Sequence, residues 1–359
     1  MEEEGIRFTV GKKVFYNPNM NFCRSMSSLA VGAIGGELEL CDAFSASGIR
    51  GIRYAKENPS VKSVTFIDID AAAIRNVKAN AKKNNVKYKA VRENISRAVF
   101  DVAADFLEID PFGSPSPYLY DAFRVFNPFK KAYLSVTATD VAVLCGGKTK
   151  PCLKNYHSTP LNNEFTHETG MRIMVKKVAE VAAEFNMGIF PLVSFSDRHY
   201  LKSIMEVRRG AELAHLAMGS LGHIDFCQNC GNRNAAKFPS EKCQLCKKGM
   251  EYAGPLWLGE LQDKAFISSM AKLNAERGYS QKREIAKMLD LLEREAGLPP
   301  YYYNIHTLCR RYGNGDIPKS EELLGKIRGK GYIAERTHYS NVSVKTDAPF
   351  RVLKSIFGK

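Results

Sequence analysis

From Glu37 onward the chain alternates short apolar runs with amphipathic stretches. Leu38-Glu39-Leu40-Cys41-Asp42 predicts a strand, and Gly48 to Lys56 predicts a helix. Ser63 to Ile67 predicts a second strand ending at Asp68, Ala71 to Asn84 a Lys-rich helix, and Tyr88 to Val91 a third strand followed by Glu93-Asn94. A fourth apolar run, Ala103 to Leu107, leads into Asp110; Lys131 to Val136, Gly188 to Phe195 and Leu201 to Arg208 supply further strands. Such alternation implies a parallel sheet with helices on both faces. Ahead of it, Ile6 to Pro18 reads as a hairpin turning at Gly11-Lys12, followed by a helix that carries Arg24. The stretch Thr137 to Glu168, rich in Gly, Pro and Asn, reads as a lid or binding loop.

The pattern breaks near Gly210. Beyond it come a small cysteine-bearing insert, helical stretches over Glu260 to Gly278, Gln281 to Ala296, Tyr301 to Tyr312 and Glu321 to Gly329, and two β-like runs, Tyr332 to Thr337 and Val342 to Lys345. Helices followed by a ribbon point to a winged-helix-like module. The expected organisation is an α/β domain over residues 1–210 and a smaller α+β domain over residues 211–359, with the insert at about 225–250.

Charge changes this picture more than composition does. The net charge of +14 favours an anionic partner, nucleic acid above all. No apolar run approaches the roughly 18 residues of a spanning helix, and Met1-Glu2-Glu3-Glu4 lacks the pattern of a signal peptide. A cytoplasmic, reducing location follows as the expectation, and nothing marks an obligate protein partner. Nine cysteines in such a compartment point to metal or buried thiols.

Four of them, Cys227, Cys230, Cys243 and Cys246, form C-x2-C-x12-C-x2-C. Two short thiolate knuckles suit a tetrahedral structural Zn2+, with no coordination position left for substrate; iron is the minor alternative. The acids Asp42, Asp68 and Asp110 and the amide Asn94 fall at the carboxyl ends of predicted strands, where open α/β sheets bind ligands. Small residues and Gly48 in Asp42-Ala43-Phe44-Ser45-Ala46-Ser47-Gly48 let the backbone approach a ligand closely. Asp110-Pro111-Phe112-Gly113-Ser114-Pro115 offers a carboxylate to accept an N–H from a nucleobase amine and an aromatic ring to stack on it. The competing readings are a plain Asp-Pro turn with Phe112 in the core, and Asp68 as the cap of the helix at Ala71. Arg310-Arg311, Lys326 to Lys330, and Arg336-Thr337-His338-Tyr339 with Lys345 interleave basic and aromatic residues in the manner of an RNA-contacting surface.

The first strand-to-helix turn resembles that of S-adenosyl-L-methionine-dependent methyltransferases. The chain as a whole is similar to the tRNA (guanine(26)-N2)-dimethyltransferase family. The resemblance rests on Val14-Phe15-Tyr16-Asn17-Pro18, Ser45 to Tyr54, Asp110 to Pro115, the four-cysteine insert, Arg336-Thr337-His338 and Lys345 to Pro349. It implies a Rossmann-like class I methyltransferase domain, a C-terminal tRNA-binding domain, and methyl transfer to the exocyclic N2 amine of guanine 26 of tRNA, once and then twice. It also implies roles: Arg24 and Arg50 contacting the methyl donor at its carboxylate, Asp68 its ribose, Asn94 and Ile95 its adenine. Asp110 would be the catalytic carboxylate, with Pro111 and Phe112 shaping the guanine pocket. Two departures accompany it, Cys23-Arg24-Ser25 where the family has Asn-Arg-Asp and Asn94-Ile95 where it has Asp-Ala; altered donor affinity is the expected consequence. The rival readings are methylation of another RNA base amine (adenine N6 or a different guanine) and a non-catalytic RNA-binding protein.

Overall fold

The computed structural model describes residues 1–126, 131–313 and 317–357. Helix α1 (Asn21–Ile34) precedes strand β1 (Leu38–Asp42); α2 (Ile49–Glu57), β2 (Val61–Asp68), α3 (Ala71–Lys83), β3 (Tyr88–Arg92), α4 (Ile95–Ala98), β4 (Phe106–Ile109), α5 (Ser116–Ala122) and β5 (Ala132–Ala138) follow in alternation. Three helices come next, α6 (Val141–Leu144), α7 (Thr149–Tyr156) and α8 (Thr166–Glu184), then β6 (Met187–Asp197) and β7 (Tyr200–Arg209). The seven strands form one sheet in the order β3-β2-β1-β4-β5-β7-β6. The first five are parallel; β7 runs antiparallel to both β5 and β6. The strand order reverses between β1 and β4, so Asp42 and Asp110 end neighbouring strands at the sheet's switch point.

Side-chain alternation divides the sheet between two cores. Leu40, Phe106 and Ile204 face the core beneath α1, α2 and α3, whereas Cys41, Leu107 and Met205, one residue on, face the core under α5 and α8. Helix α2 lies so close to β2 that a Cβ at Gly51 would come within 2.6 Å of the Phe66 ring. That approach holds Arg50 against the sheet.

The remainder comprises α9 (Ala211–Gly219), β8 (Leu221–Phe226), β9 (Arg233–Ala236), β10 (Glu251–Trp257), α10 (Lys264–Glu276), α11 (Lys282–Glu295), β11 (Tyr303–Asn304), α12 (Ile305–Tyr312), α13 (Ser320–Arg328), β12 (Ala334–Thr337), β13 (Ser340–Thr346) and α14 (Phe350–Ile356). Strands β8 to β10 make a small antiparallel sheet that carries the cysteine knuckles. From α11 to β13 the order helix, strand, helix, helix, two-stranded ribbon is that of a winged helix, and its part from β11 onward has its own apolar core. Helices α10 and α11 bury Ile267, Met270, Ile285 and Leu289 in the first of the two sheet cores. The latter part of the chain therefore completes the core of the main sheet.

Three expectations change. The stretch after Arg7 makes no hairpin; pairing is confined to Glu2–Glu3 with Ile6–Arg7. The Asn80 amide accepts from Thr9 N–H at 2.9 Å and Asn76 accepts from Gly11 N–H at 2.7 Å, so α3 takes the backbone groups a hairpin would have paired. The stretch Thr137 to Glu168 is packed structure rather than a lid, with Leu144, Cys152, Tyr156 and Phe165 fully buried. Finally, the fourth strand begins at Phe106, later than the apolar run suggested, because Ala104 bridges to Phe126 instead.

Candidate active site and zinc centre

A cavity of about 340–470 Å³ is the size of several clefts on the molecule, and the one at the carboxyl ends of β1, β2 and β4 measures about 470 Å³. Six of the eight residues expected at the donor and base sites line it: Arg24, Arg50, Asp68, Asp110, Pro111 and Phe112. Asn94 and Ile95 do not. Asn94 is exposed and caps α4 by accepting from Ser96 N–H at 3.0 Å, and Ile95 is buried in the core.

The turn after β1 is built to be open. Ser45 Oγ donates to the Ile67 carbonyl at 2.7 Å, and Gly48 adopts φ +77°, a conformation that favours glycine. Asp68 accepts from the backbone N–H groups of Ala46 and Asp70, each at 2.9 Å, and so ties this turn to the end of β2. Asp70, not Asp68, caps α3, accepting from Ala72 N–H at 2.7 Å. Ile69 lies between them, 68% exposed on the cavity rim, an apolar residue that sequence reasoning passed over.

Charge is concentrated at the cavity floor. Arg50 pairs with Asp110 and lies 3.8 Å from Glu108. Glu108, fully buried, accepts from Lys202 Nζ at 2.6 Å and from Tyr54 Oη at 2.8 Å. The sequence assigned no role to Glu108 or Lys202, because only the sheet pairing brings β7 near β4. Asp42 is buried beside them, and desolvation drives its carboxyl up to about 7, with Arg50 opposing and Glu108 and Asp110 reinforcing the rise. Three carboxylates thus face two cations. Ionised together they leave one negative charge, which suits a cationic sulfonium.

Arg24 is held differently. Its Nε donates to Glu3 at 2.7 Å and its Nη2 to the Asn17 carbonyl at 3.1 Å, while the guanidinium lies 5.2 Å from the Tyr16 ring centroid. Arg53 Nη1 and Tyr16 Oη also donate to Glu3, each at 2.9 Å. Burial alone would raise the Glu3 carboxyl, but Arg24 and Arg53 hold it below its ordinary value. Glu3 therefore supplies an acidic partner that Cys23 and Ser25 lack.

At the mouth, Phe112 is 78% exposed, so it is no core residue. Phe15 meets it edge to face, with centroids 4.7 Å apart.

The four cysteines gather as their spacing predicts. Their sulfurs all lie within 4.8 Å of one another, with Cys227–Cys246 at 3.4 Å and Cys230–Cys243 at 3.6 Å. A tetrahedron of Zn–S bonds near 2.3 Å has edges of about 3.8 Å, so the set fits zinc. Each knuckle closes through the same backbone bonds: Gly231 N–H to Cys227 at 2.7 Å and Lys247 N–H to Cys243 at 2.9 Å.

The basic C-terminal set is only partly a surface. Arg310, Lys326, Lys330 and Arg336 are exposed. Thr337 and Lys345 are buried, as is the His338 side chain. Lys345 Nζ donates to Glu168 of α8 at 2.7 Å, His338 pairs with Glu295 of α11, and Ser196 N–H donates to His338 Nε2 at 3.2 Å. These residues fasten the wing to the main sheet, and burial rules them out as phosphate contacts.

The sheet order, the open turn after β1 and the acid-lined cavity define a Rossmann-like methyltransferase. Comparison with known proteins carries the assignment further. The family described as N2,N2-dimethylguanosine tRNA methyltransferase matches residues 1–358, and the chain belongs to that family. Similar proteins include the tRNA (guanine(26)-N(2))-dimethyltransferases of Methanothermobacter thermautotrophicus, 35% identical with 93% of this chain and 90% of that protein covered, and Methanobrevibacter smithii, 33% identical with 96% and 90% covered. The structure of Trm1 from Pyrococcus horikoshii in complex with S-adenosyl-L-methionine superposes with a TM-score of 0.91 at 29% identity, covering 100% of this chain and 99% of that one. The protein is a methyltransferase that uses S-adenosyl-L-methionine. No helix among the described residues is long and apolar enough to cross a membrane.

Proposed function

We propose that this protein methylates the exocyclic N2 amine of guanine 26 in tRNA, first to monomethylguanosine and then to dimethylguanosine, in the cytoplasm. The observation that carries the reading is family membership over nearly the whole chain, joined to the Asp110-Pro111-Phe112 loop on the donor-sized cavity. The bound donor supplies an electrophilic methyl group. Arg24 and Arg50 would meet its carboxylate and Asp68 its ribose, whereas Asn94 and Ile95, which lie outside the cavity, are not assigned to its adenine.

Asp110 accepts an N–H from the guanine amine. The amine's lone pair is delocalised into the ring, and a fixed carboxylate favours the more tetrahedral amine of the transition state. Arg50 fixes Asp110 in turn. The rigid Pro111 turn shapes the pocket, and Phe112 with Phe15 offers the apolar faces against which an extruded base packs. The amine nitrogen would bond to the methyl carbon as the sulfonium S–CH3 bond breaks, with the neutral thioether leaving and one N–H proton lost; no covalent enzyme–RNA intermediate is needed, and positioning carries most of the catalysis. Guanine 26 must leave its stacked position to reach the cavity. Residues 211–359 carry the tRNA grip, with exposed Arg310, Lys326, Lys330 and Arg336 contacting phosphates and Cys227, Cys230, Cys243 and Cys246 holding a structural zinc ion.

The test is methylation of an unmodified tRNA transcript with labelled donor, followed by nucleoside analysis and site mapping. Dimethylguanosine at position 26 is expected. Methyladenosine, or methylguanosine elsewhere, would overturn the specificity, and donor binding without transfer to any tRNA would overturn the substrate class. Asp110→Ala is expected to abolish turnover while calorimetry still records donor binding.

A further inference from the structure

The catalytic loop is held by residues that neither the donor nor the base reading uses. Thr139 follows β5 and lines the cavity beside Asp110 and Phe112. Its hydroxyl oxygen accepts from Gly113 N–H at 2.7 Å, and its own N–H donates to the Gly113 carbonyl at 3.0 Å. With a longer contact in which the hydroxyl donates to the same carbonyl at 3.5 Å, this clasp grips the residue that follows Phe112. Gly113 has φ +83° and no heavy atom outside its chain neighbours within 4 Å of the position a Cβ would take. Packing does not fix the loop there; the clasp does.

A second tie lies one residue further along both segments. Ser114 Oγ donates to Tyr156 Oη at 2.8 Å, and Tyr156 Oη donates to Asp140 at 2.9 Å. Tyr156 is fully buried and Ser116 Oγ donates to the Asn155 carbonyl at 2.5 Å, so α7 anchors this end. The loop after β4 is thus joined to the segment after β5 at Gly113, Ser114 and Ser116. Of these partners only Thr139 is exposed at the cavity, where losing a side chain threatens the fold least.

We propose that Thr139 is a positioning residue for methyl transfer: by clasping Gly113 it sets the angle at which Pro111 and Phe112 present the guanine amine to the donor. The proposal rests on the reading of Asp110 to Phe112 as the base site. In-line transfer is sensitive to placement, and a misplacement of about 1 Å costs on the order of 100-fold. Removing the hydroxyl deletes the bond to Gly113 N–H while the backbone bond remains, so the loop loosens without leaving.

The experiment compares Thr139→Val, Thr139→Ser and Asp110→Ala on an unmodified tRNA transcript. It measures kcat, KM for tRNA, donor affinity by calorimetry, and the thermal midpoint. Thr139→Val is expected to lower kcat by about 10- to 100-fold, with donor affinity, KM and midpoint within twofold or a degree or two of the parent. Thr139→Ser, which keeps the accepting oxygen, is expected to restore kcat. Parent-like kcat in Thr139→Val beside an inactive Asp110→Ala would overturn the positioning role and leave the base-site reading standing. Thr139→Ser as impaired as Thr139→Val would also overturn it, since the hydroxyl would be present without effect. An active Asp110→Ala would overturn the base-site reading, and the proposal with it.

Discussion

At the residue scale the decisive interactions are buried charges held by partners distant in sequence. Asp42 is the sharpest case. Its folded-state carboxyl titrates at about 7, above its ordinary 3.8, because burial outweighs the attraction of Arg50. Folding therefore favours the protonated form. The stability that Asp42 contributes is complete below the ordinary value and is lost progressively as pH rises towards 7. Asp42→Asn keeps an oxygen to accept the Gly51 N–H that Asp42 accepts at 3.2 Å and removes the ionisation. Its thermal midpoint is expected to exceed the parent's by a margin that widens from pH 5 to pH 8; a constant margin across that range would refute the assignment. A bound sulfonium favours the ionised carboxylate, so donor affinity in the parent is expected to rise over the same interval and to flatten in the variant.

At the element scale, the cysteine knuckles and the winged helix are one unit. Arg311 of α12 donates to the Gln228 carbonyl at 2.9 Å, and Tyr312 Oη donates to the Cys230 carbonyl. Both carbonyls belong to the Cys227–Cys230 knuckle, so a metal that fixes this turn also fixes the acceptors on which α12 sits. Second-sphere contacts of this kind commonly share the metal's contribution to folding. Chelation is expected to release one zinc per chain, to make backbone amides of α12 and α13 exchange faster, and to weaken tRNA binding. Donor affinity should stay unchanged, because the cavity lies on the main sheet. Faster exchange around Asp68 and Arg50 instead would contradict this separation.

At the scale of the whole molecule, the wing is fastened to the methyltransferase sheet by a polar latch. Glu168 accepts from both Lys345 at 2.7 Å and Arg172 at 2.9 Å, and Glu295 receives Thr337 Oγ1 at 2.7 Å together with His338. Burial lowers the dielectric around these groups, so deleting one partner leaves charge uncompensated. Lys345→Met retains the apolar stem and removes the ammonium. It is expected to lower stability to unfolding by less than the roughly 3–5 kcal/mol of a fully stranded charge, because Arg172 remains on Glu168. It is also expected to weaken tRNA binding with donor affinity intact. Parent-like stability would mean that the latch contributes nothing net.

The sequence by itself determined the parts that local rules govern. Period-two and helical patterning marked β1 to β3 with α2 and α3, since each strand and helix buries its own apolar face. Cysteine spacing marked the two knuckles that could hold a metal ion, since each pair closes its own turn. Strand-end placement marked Asp68 and Asp110, since a parallel sheet delivers those ends to one edge. The tertiary structure decided what long-range contact governs. It brought Glu3 to Arg24 and Lys202 to Glu108, pairs separated by 21 and 94 residues. It turned an apparent loop into α6 and α7 packed against the core, and it reversed β7 to run antiparallel. It also converted Thr337, His338 and Lys345 from an expected RNA surface into an internal latch. A basic residue reads the same in sequence whether it meets a phosphate or a buried carboxylate; only the packing of the wing against α8 and α11 distinguishes the two.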